Sequence, residues 1–381
     1  MAMPDLLRQE IATAADLIVV KIGSRVLTRE DGLLDQHRVA TLAEELHELI
    51  ETGRKVVLVS SGAVVAGMGR LGLQRRPTDL AHLQAVAAVG QSNLVESYDK
   101  ALARHGRHAA QLLLTTEDMD HRARYLNVRN TLLTLLEYGA LPIINENDTV
   151  AVDELQNTFG DNDRLAAAVT NLLRAPLLVL LSDVDGLYDG DPNDPRSQVI
   201  TTVTQIDDSI LRLAAPGDSA VGKGGMASKL QAAHIATAAG ENVIIANGHQ
   251  KGTLARILAG QPVGTLLVAQ GQTVSSRKRW IGFTAQPRGR LLLDDGAVRA
   301  VRTQGRSLLP IGIIGGEGSF QKGDVVAICD RSGHEFARGL TNYSADEISR
   351  IQGLKTNQLA ATLAHSPYDE VVHRDNLTLT G

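Results

Sequence analysis

The chain has 381 residues, a formal net charge of −5, 43% hydrophobic residues and 21% charged residues. This composition is typical of a folded globular protein and excludes a disordered or collagen-like chain, and the length predicts two domains. The net negative charge gives no general attraction to nucleic acid or to a membrane surface. The single cysteine, Cys329, excludes an intramolecular disulfide and a metal site built from cysteines.

The N-terminal segment does not resemble a targeting signal. Residues 1–17 contain acidic residues where a signal peptide would be basic, and they lack a sustained apolar run. No stretch of the sequence is long and apolar enough to span a bilayer. We therefore expect a cytoplasmic protein without a membrane partner.

Six short apolar segments predict buried strands, separated by amphipathic segments such as residues 37–53, where Gly53 is expected to end a helix. Continuous hydrophobicity is what a parallel sheet covered on both faces requires, so we predict a layered α/β domain. Ligands of such sheets bind beyond the carboxyl ends of the strands, which predicts one functional edge formed by the loops after Ile22, Val59, Asn145 and Leu181. The six segments are LIVVKI (17–22), KVVLVS (55–60), AAQLLL (109–114), LPIIN (141–145), LLVLLS (177–182) and VIIAN (243–247).

The pattern changes near residue 275. Residues 289–301 and 323–340 contain short strand-like pieces separated by glycine-containing turns, which predict a small β-rich domain. Eight basic and two acidic residues lie between Arg277 and Arg306, so the basic charge is local to this region. We predict a first domain over 1–270, a second over 277–355 and a C-terminal tail over 356–381.

Polar residues follow several of the predicted strands. Lys21 lies at the end of the first strand, beside Gly23, and this arrangement suits phosphate binding, although a lysine that only extends from a strand end to solvent would look the same. Residues 145–148 and 160–163 are two clusters of short acids and amides. Such clusters can bind an ammonium group, orient lysines or hold hydrated Mg²⁺, whereas a solvated loop with a helix N-cap explains either cluster alone.

The segment GKGGMASK (222–229) precedes a predicted helix. Its glycines would free backbone N–H groups to face an anion, and we expect Lys229 in the first helical turn, where a cation implies a negative ligand. The spacing is not that of a Walker A motif, and no G-x-G-x-x-G sequence follows the first strand, which argues against a P-loop ATPase and a dinucleotide-binding site. Two lysines flanking one cleft, with acids between them, suit phosphoryl transfer.

Taken in order, these segments resemble the motif series of the glutamate 5-kinase family, a branch of the amino-acid kinase family. The series is VVKIGSRVLT, VSSGAVVAG, INENDTVAV, GDND, LSDVDGLY and GGMASKLQAA, and the later RKRWIGF, SLLPIGI and GDVVAICD resemble a PUA domain. The resemblance covers nearly the whole chain. It implies an αβα sandwich over about the first 270 residues and ATP-dependent phosphorylation of the γ-carboxylate of L-glutamate, the entry step of proline biosynthesis. It also implies a need for Mg²⁺, inhibition by proline and a homo-oligomer, either a dimer or a tetramer.

The resemblance also implies roles for individual residues. Lys21 and Lys229 would be catalytic, and Asp161 and Asp163 would organise the lysines and the metal, whose individual ligands the resemblance leaves unknown. The glutamate-binding residues would be Ser61, Gly62, Asp148 and Asn162. The ATP-binding residues would be Lys21, Gly23, Ser182, Asp183, Lys223, Gly224, Gly225, Met226, Ala227, Ser228 and Lys229. The family usually has threonine where this chain has Lys223, so a hydroxyl is replaced by a charge in the nucleotide loop.

Two other interpretations remain open at this stage. An acetylglutamate, aspartate or nucleotide kinase would share the lysines and differ in the acceptor pocket. Alternatively, the basic β-rich domain could make the chain an RNA-binding protein that acts through its PUA domain. The acidic remainder of the chain would repel a phosphate backbone, and both proposed catalytic lysines are present, so the pattern favours a kinase.

Overall fold

The computed structural model describes residues 5–150, 161–214, 223–270, 276–363 and 368–380. The chain divides into two compact units, Met1–Gln272 and Thr273–Gly381. Among the described residues, no helix combines the length and the hydropathy that crossing a membrane would require.

The first unit alternates strands and helices. Six of its strands match the six predicted apolar segments, with ends that differ by at most one residue. The strands are β1 (Leu17–Ile22), β2 (Lys55–Ser60), β3 (Ala109–Leu114), β4 (Leu141–Glu146), β5 (Leu177–Ser182), β6 (Thr202–Val203), β7 (Asn242–Asn247) and β8 (Thr265–Leu267). The helices are α1 (Leu6–Ala14), α2 (Gln36–Glu51), α3 (Ala63–Leu71), α4 (Leu80–Ala103), α5 (Thr116–Asp120), α6 (Arg122–Glu137), α7 (Asp161–Leu173), α8 (Asp208–Leu213), α9 (Lys223–Ala238) and α10 (Thr253–Leu258), with a 3₁₀ turn at Ser24–Leu27.

The strands of the first unit form one mainly parallel sheet in the order β3-β4-β2-β1-β5-β7-β8-β6, where β7 with β8 is the antiparallel pair. In the centre, Ile22 of β1 is in register with Ser60 of β2 and with Leu181 of β5. The carboxyl ends of these neighbouring strands therefore meet at one edge of the sheet. The predicted α/β fold and the predicted common edge are both confirmed.

Strand β1 shows how the core sets up this edge. All six of its residues are buried, which is why its sequence does not alternate between apolar and polar residues. Ile18, Val20 and Ile22 join the hydrophobic core that includes residues of α2 and α4. Side chains alternate along a strand, so Lys21 points to the opposite face, where α7 packs against the strand.

Helices α3 and α4 approach each other at the level of their backbones. A methyl group added at Gly67 of α3 would lie 1.9 Å from the carbonyl oxygen of Val86, and one added at Gly90 of α4 would lie 1.7 Å from that of Ala63. No real Cβ atom tolerates such distances, so both positions require glycine. The contact places α4 directly against the helix that begins after the Ser61–Gly62 turn.

The second unit is small and β-rich, as predicted, and has its own hydrophobic core. Its strands lie in the order β10-β9-β11-β12-β13. The strands are β9 (Gly289–Leu293), β10 (Ile313–Gly318), β11 (Val325–Cys329), β12 (Glu335–Leu340) and β13 (Leu377–Leu379). The helices are α11 (Ser276–Arg279), α12 (Asp295–Arg302), α13 (Ala345–Ile351) and α14 (Leu359–Leu363), with a π-helical turn at Trp280–Thr284 and 3₁₀ turns at Pro310–Gly312, Thr356–Gln358 and Arg374–Asn376.

Two segments of the second unit differ from the sequence-based expectation. The segment 289–301 was predicted to contain strand-like pieces, but from Asp295 onward it forms helix α12, because the side chain of Asp294 accepts a hydrogen bond from the N–H of Ala297 and caps the helix. The segment predicted as a tail contributes β13, in which Leu377 pairs with Gly339 of β12. We therefore propose that the small domain continues into this segment.

The close contact of α3 and α4 generates a stability prediction. Gly67→Ala should lower the free energy of unfolding by about 2 kcal/mol or more, because the new methyl group collides with backbone. Gly69→Ala in the same helix is the matched control, since its methyl group would meet only a side-chain carbon of Leu33, at 3.7 Å. The control should be neutral or stabilise by up to about 1 kcal/mol. Urea unfolding of both variants tests this, and equal midpoints would show that the helices do not rely on the contact.

Candidate active site

A buried cluster of two lysines and one aspartate lies at the carboxyl edge of the sheet. The ammonium nitrogen of Lys21 is 2.5 Å from Oδ1 of Asp163, and that of Lys229 is 3.5 Å from Oδ2. The hydroxyl of Ser228 donates a hydrogen bond of 2.7 Å to Oδ2. Three elements, β1, α7 and α9, therefore each bring at least one side chain to this cluster.

The pKa values of two members of this cluster, Asp163 and Lys229, are shifted by burial and by neighbouring charges. Burial alone would raise the pKa of Asp163, but Lys21 and Lys229 outweigh it, so the pKa of this carboxyl is lowered. Burial also lowers the pKa of Lys229, an effect that the charge of Asp163 opposes. Two ammonium groups around one carboxylate leave a net positive charge in a nearly buried site, and such a charge favours an anionic ligand.

The helix that carries Lys229 begins earlier than expected. Helix α9 starts at Lys223, so Gly224 and Gly225 lie in its first turn and Lys229 in its second. The prediction that Lys229 lies in the first turn was wrong, since the glycines are part of the helix. The ammonium group donates to the carbonyl oxygen of Gly225 at 3.0 Å, so the side chain runs back toward the helix N-terminus.

Some of the predicted nucleotide loop can be described only in part. Met226 is half-buried and Ala227 is exposed. The side chains of Lys223 and Asp161 lie outside the described part of the chain, and so do the surroundings of Gly224.

A second group of predicted residues meets beside the lysines. The side-chain amide of Asn162, next to Asp163 in the chain, donates to Oγ of Ser61 at 3.0 Å and to Oδ1 of Asn145 at 3.0 Å. Ser61 is followed by Gly62, whose φ of +107° is a conformation that residues with side chains rarely adopt. Gly62 therefore turns the chain from β2 into α3 and holds Ser61 at the edge.

Asp148 is buried close to this group, and its pKa is raised, whereas that of Asp163 is lowered. Burial raises the pKa of Asp148 to about 6, although a hydrogen bond from Gln91 and the charge of Arg76 lower it in part. The amide nitrogen of Gln91 is 3.1 Å from Oδ2 of Asp148. Asp148 is thus a carboxylate poised to gain a cationic partner.

The predicted nucleotide-binding residues at the end of β5 lie next to β1. The hydroxyl of Ser182 donates to Oδ1 of Asp183 at 3.1 Å, and Nη1 of Arg25 is 3.0 Å from Oδ2. Burial would raise the pKa of Asp183, but the hydrogen bond from Arg25 contributes to a net lowering. The N–H of Gly23 donates to the carbonyl oxygen of Leu181 at 3.2 Å, which ties the loop after β1 to the end of β5.

The described residues offer no protein-only metal site. Nowhere among them do three or more His, Cys, Asp or Glu side chains come together in a way that could hold a metal ion. The carboxylate of Asp163 is occupied by Lys21 and Lys229.

Two residues of the site were not predicted as site residues. Asn145 and Gln91 connect Asn162 to Asp148 through hydrogen bonds. Asn145 was visible in the polar cluster that follows a strand. Gln91 lies within the long helix α4, and the signal that could have found it is the neighbouring Gly90, which marks a close helix contact.

Comparisons with known proteins identify the family of this chain. The model of the amino acid kinase family matches residues 16–247, and that of the PUA domain matches residues 289–363. Glutamate 5-kinase from Rhodopirellula baltica is 49% identical over 98% of this chain and 96% of its own length, and that from Thioalkalivibrio sulfidiphilus is 47% identical over 98% and 99%. Among solved structures, UMP kinase from Bacillus anthracis matches with a TM-score of 0.45 and 14% identity, over 67% of this chain and 97% of that one, and adds nothing to the assignment. The chain therefore belongs to the amino acid kinase family, within the group formed by the glutamate 5-kinases.

Proposed function

We infer that the protein transfers the γ-phosphoryl group of ATP to the γ-carboxylate of L-glutamate, which gives L-glutamyl 5-phosphate, the first step of proline biosynthesis. The observation that carries this conclusion is the nearly full-length similarity to glutamate 5-kinases. The site geometry supports it independently, because it combines buried cations with a separate carboxylate that lies beside a group of amides and hydroxyls.

The chemistry explains why cations dominate the site. A carboxylate acceptor is already ionised at neutral pH, so its oxygen can attack the γ-phosphorus of ATP without a general base. A bond forms between the carboxylate oxygen and phosphorus while the bond to the ADP oxygen breaks. The difficulty lies in bringing two anions together, and fixed positive charge is the direct remedy.

Lys21 and Lys229 would supply that charge. Asp163 holds both ammonium groups within one small volume, and its charge opposes the effect of burial on the pKa of Lys229. The γ-phosphoryl oxygens would replace part of this pairing during transfer, with Lys229 on the migrating group. Gly23, Ser182, Asp183 and residues 223–229 would bind the rest of ATP.

Asp148, Asn162, Ser61 and Gly62 would bind glutamate. Asp148 has the charge to pair with the α-ammonium group, and Asn162 and Ser61 can hydrogen-bond to the substrate carboxylates. An acetylated amine carries no charge and would leave the buried carboxylate without a partner, so acetylglutamate is disfavoured as the acceptor. The curated relatives do not favour an aspartate kinase, a nucleotide kinase or an RNA-binding protein either.

Further properties follow from the same proposal. Mg²⁺ would enter with ATP and be held mainly by phosphate oxygens, as is usual for this ion. Proline would act as the feedback inhibitor, and the chain would form a dimer or a tetramer in the cytoplasm, where ATP is available. We assign residues 1–270 to the catalytic domain and residues 277–355 to the PUA domain, and the segment 356–381, expected from the sequence to be a tail, would continue the same small domain.

The domain assignment predicts the behaviour of a shortened chain. A chain that ends at Gln270 keeps every proposed catalytic residue and should still release ADP in the presence of glutamate and ATP. Circular dichroism would establish that it folds. A folded but inactive product at saturating substrates would place part of the active site in the second domain.

The two lysines should be separately essential. Lys21→Met and Lys229→Met keep the aliphatic volume and remove the charge, and each should lower kcat by about 10²- to 10³-fold, the usual effect of losing one preorganised contact to a developing charge. Lys55→Met is the control, because Lys55 is exposed at the opposite end of β2. Steady-state ADP release gives kcat for all three. Normal turnover in either active-site variant would exclude the two-lysine mechanism.

Asp148 should control glutamate binding and its pH dependence. Asp148→Asn should raise the KM for glutamate by roughly 10- to 1000-fold and change the KM for ATP little, since only the acceptor's ammonium group loses a partner. In the unmodified enzyme, kcat/KM for glutamate should fall as the pH drops through about 6, where Asp148 takes up a proton.

The exposed Asp208, mutated to Asn, serves as the control for this variant. Acetylglutamate should be a far poorer acceptor than glutamate for the unmodified enzyme. A normal glutamate KM in Asp148→Asn, or equal use of the two acceptors, would remove Asp148 as the ammonium partner.

A further inference from the structure

The buried side-chain amide of Gln91, on helix α4, hydrogen-bonds to the segment that carries Asp148. The nitrogen of Gln91 donates to the main-chain carbonyl of Glu146 at 3.1 Å and to Oδ2 of Asp148 at 3.1 Å. Its oxygen accepts from the side-chain amide of Asn145 at 3.2 Å. Both the nitrogen and the oxygen of this amide therefore bond to residues 145–148, at the end of β4 and just beyond it, and only 5% of Gln91 is exposed.

These hydrogen bonds have a direction that Asp148 sets. An ionised carboxylate only accepts, so Gln91 must present its nitrogen to Asp148 and its oxygen to Asn145. Asn145 then donates to Gln91 and presents its own oxygen to Asn162. Asn162 is left to direct its nitrogen to Ser61. One carboxylate thus orients three amides and, through them, the opposite side of the acceptor pocket.

The backbone holds Gln91 in this position. Gly90, the residue before it, lies so close to α3 that a methyl group there would be 1.7 Å from the carbonyl oxygen of Ala63. Helix α3 begins at Ala63, two residues after Ser61. The contact therefore fixes Gln91 relative to Ser61, so the same pair of helices positions Ser61 at one end of the hydrogen-bonded chain and Gln91, the partner of Asp148, near the other end.

We propose that Gln91 is a positioning residue for the acceptor substrate, which holds the carboxylate of Asp148 in the orientation that receives the ammonium group and couples it to Asn162 and Ser61. This proposal rests on the acceptor-binding role assigned to Asp148 above. Gln91 donates to Oδ2 of Asp148, and no other described residue donates a hydrogen bond to this carboxylate, so the proposal assigns Oδ1 to the cationic ligand. The helix that supplies Gln91 lies outside every motif that suggested the activity.

The same hydrogen bond affects how Asp148 titrates. The charged and hydrogen-bonding groups that favour its ionised form are the amide of Gln91 and the guanidinium of Arg76, and burial opposes them. A hydrogen bond to the ionised form lowers a carboxyl pKa, so its loss must raise that pKa. If Gln91 had only a structural role, its replacement would leave the pKa of Asp148 unchanged.

The test uses the full chain with Gln91→Met, which keeps the length of the side chain and removes its polar atoms. The KM for glutamate should rise about 10- to 100-fold, as expected for one lost hydrogen bond to a charged group, while the KM for ATP and kcat change by less than about threefold. The acidic limb of kcat/KM for glutamate should move to higher pH. Gln84→Met, two turns earlier on the same helix, is the matched control and should behave as the unmodified enzyme.

A second variant and a double variant keep the test decisive. If Gln91→Met does not fold, Gln91→Glu keeps the shape and places a second carboxyl beside Asp148, which should move the acidic limb to higher pH as well. In an Asp148→Asn background, Gln91→Met should raise the glutamate KM by less than about threefold more, because both changes act on one contact. Fully additive effects, or an unshifted acidic limb, would overturn the proposal.

The outcomes also separate this inference from the assignment on which it rests. A normal glutamate KM in Asp148→Asn would reject the role of Asp148 itself, and with it this inference. A raised KM in Asp148→Asn together with a normal KM and pH profile in Gln91→Met would reject only the role of Gln91.

Discussion

The site depends on one carboxylate that holds two buried ammonium groups. Lysines are rarely buried, because burial favours their neutral form, and burial lowers the pKa of Lys229 for this reason. Asp163 makes the arrangement possible, since it lies within ion-pair distance of both Lys21 and Lys229. Lys21 reaches Asp163 only because it occupies the position in β1 that faces away from the core shared with α2 and α4. The alternation of a buried strand is therefore what places the first cation.

Much of this could be predicted from the sequence, for a physical reason. A parallel strand covered on both faces must be continuously apolar, so its ends are sharp, and the six predicted strands agree with the structure to within one residue. Parallel neighbours bring their carboxyl ends together, which is why the order of the sequence alone assigns polar residues near strand ends, such as Lys21, Ser61 and Asp148, to one edge. The small β-rich domain was predictable from its short strands and frequent turns.

Other features could not be read from local patterns. Gln91 contacts residues more than fifty positions away, and a glutamine within a long helix is ordinarily solvent-exposed, so only the fold reveals its partners. Gly224 and Gly225 suggested a loop, yet helix α9 begins at Lys223 and includes both glycines, against their intrinsic preference. In the segment 289–301, apolar residues next to a turn were interpreted as a strand, but Asp294 caps a helix that begins at Asp295.

The two aspartates of the site differ in the charge of their neighbours. Asp163, surrounded by lysines, has a lowered pKa, whereas Asp148, buried beside the neutral Gln91, has a pKa raised to about 6. Opposite shifts in one site are typical of carboxylates with different tasks. Had Asp148 lain against Lys21 or Lys229, it would have paired with them and been lost to a substrate ammonium group. The amides of Gln91, Asn145 and Asn162 link Asp148 to Ser61 through hydrogen bonds that carry no charge, so they orient the carboxylate of Asp148 without neutralising it.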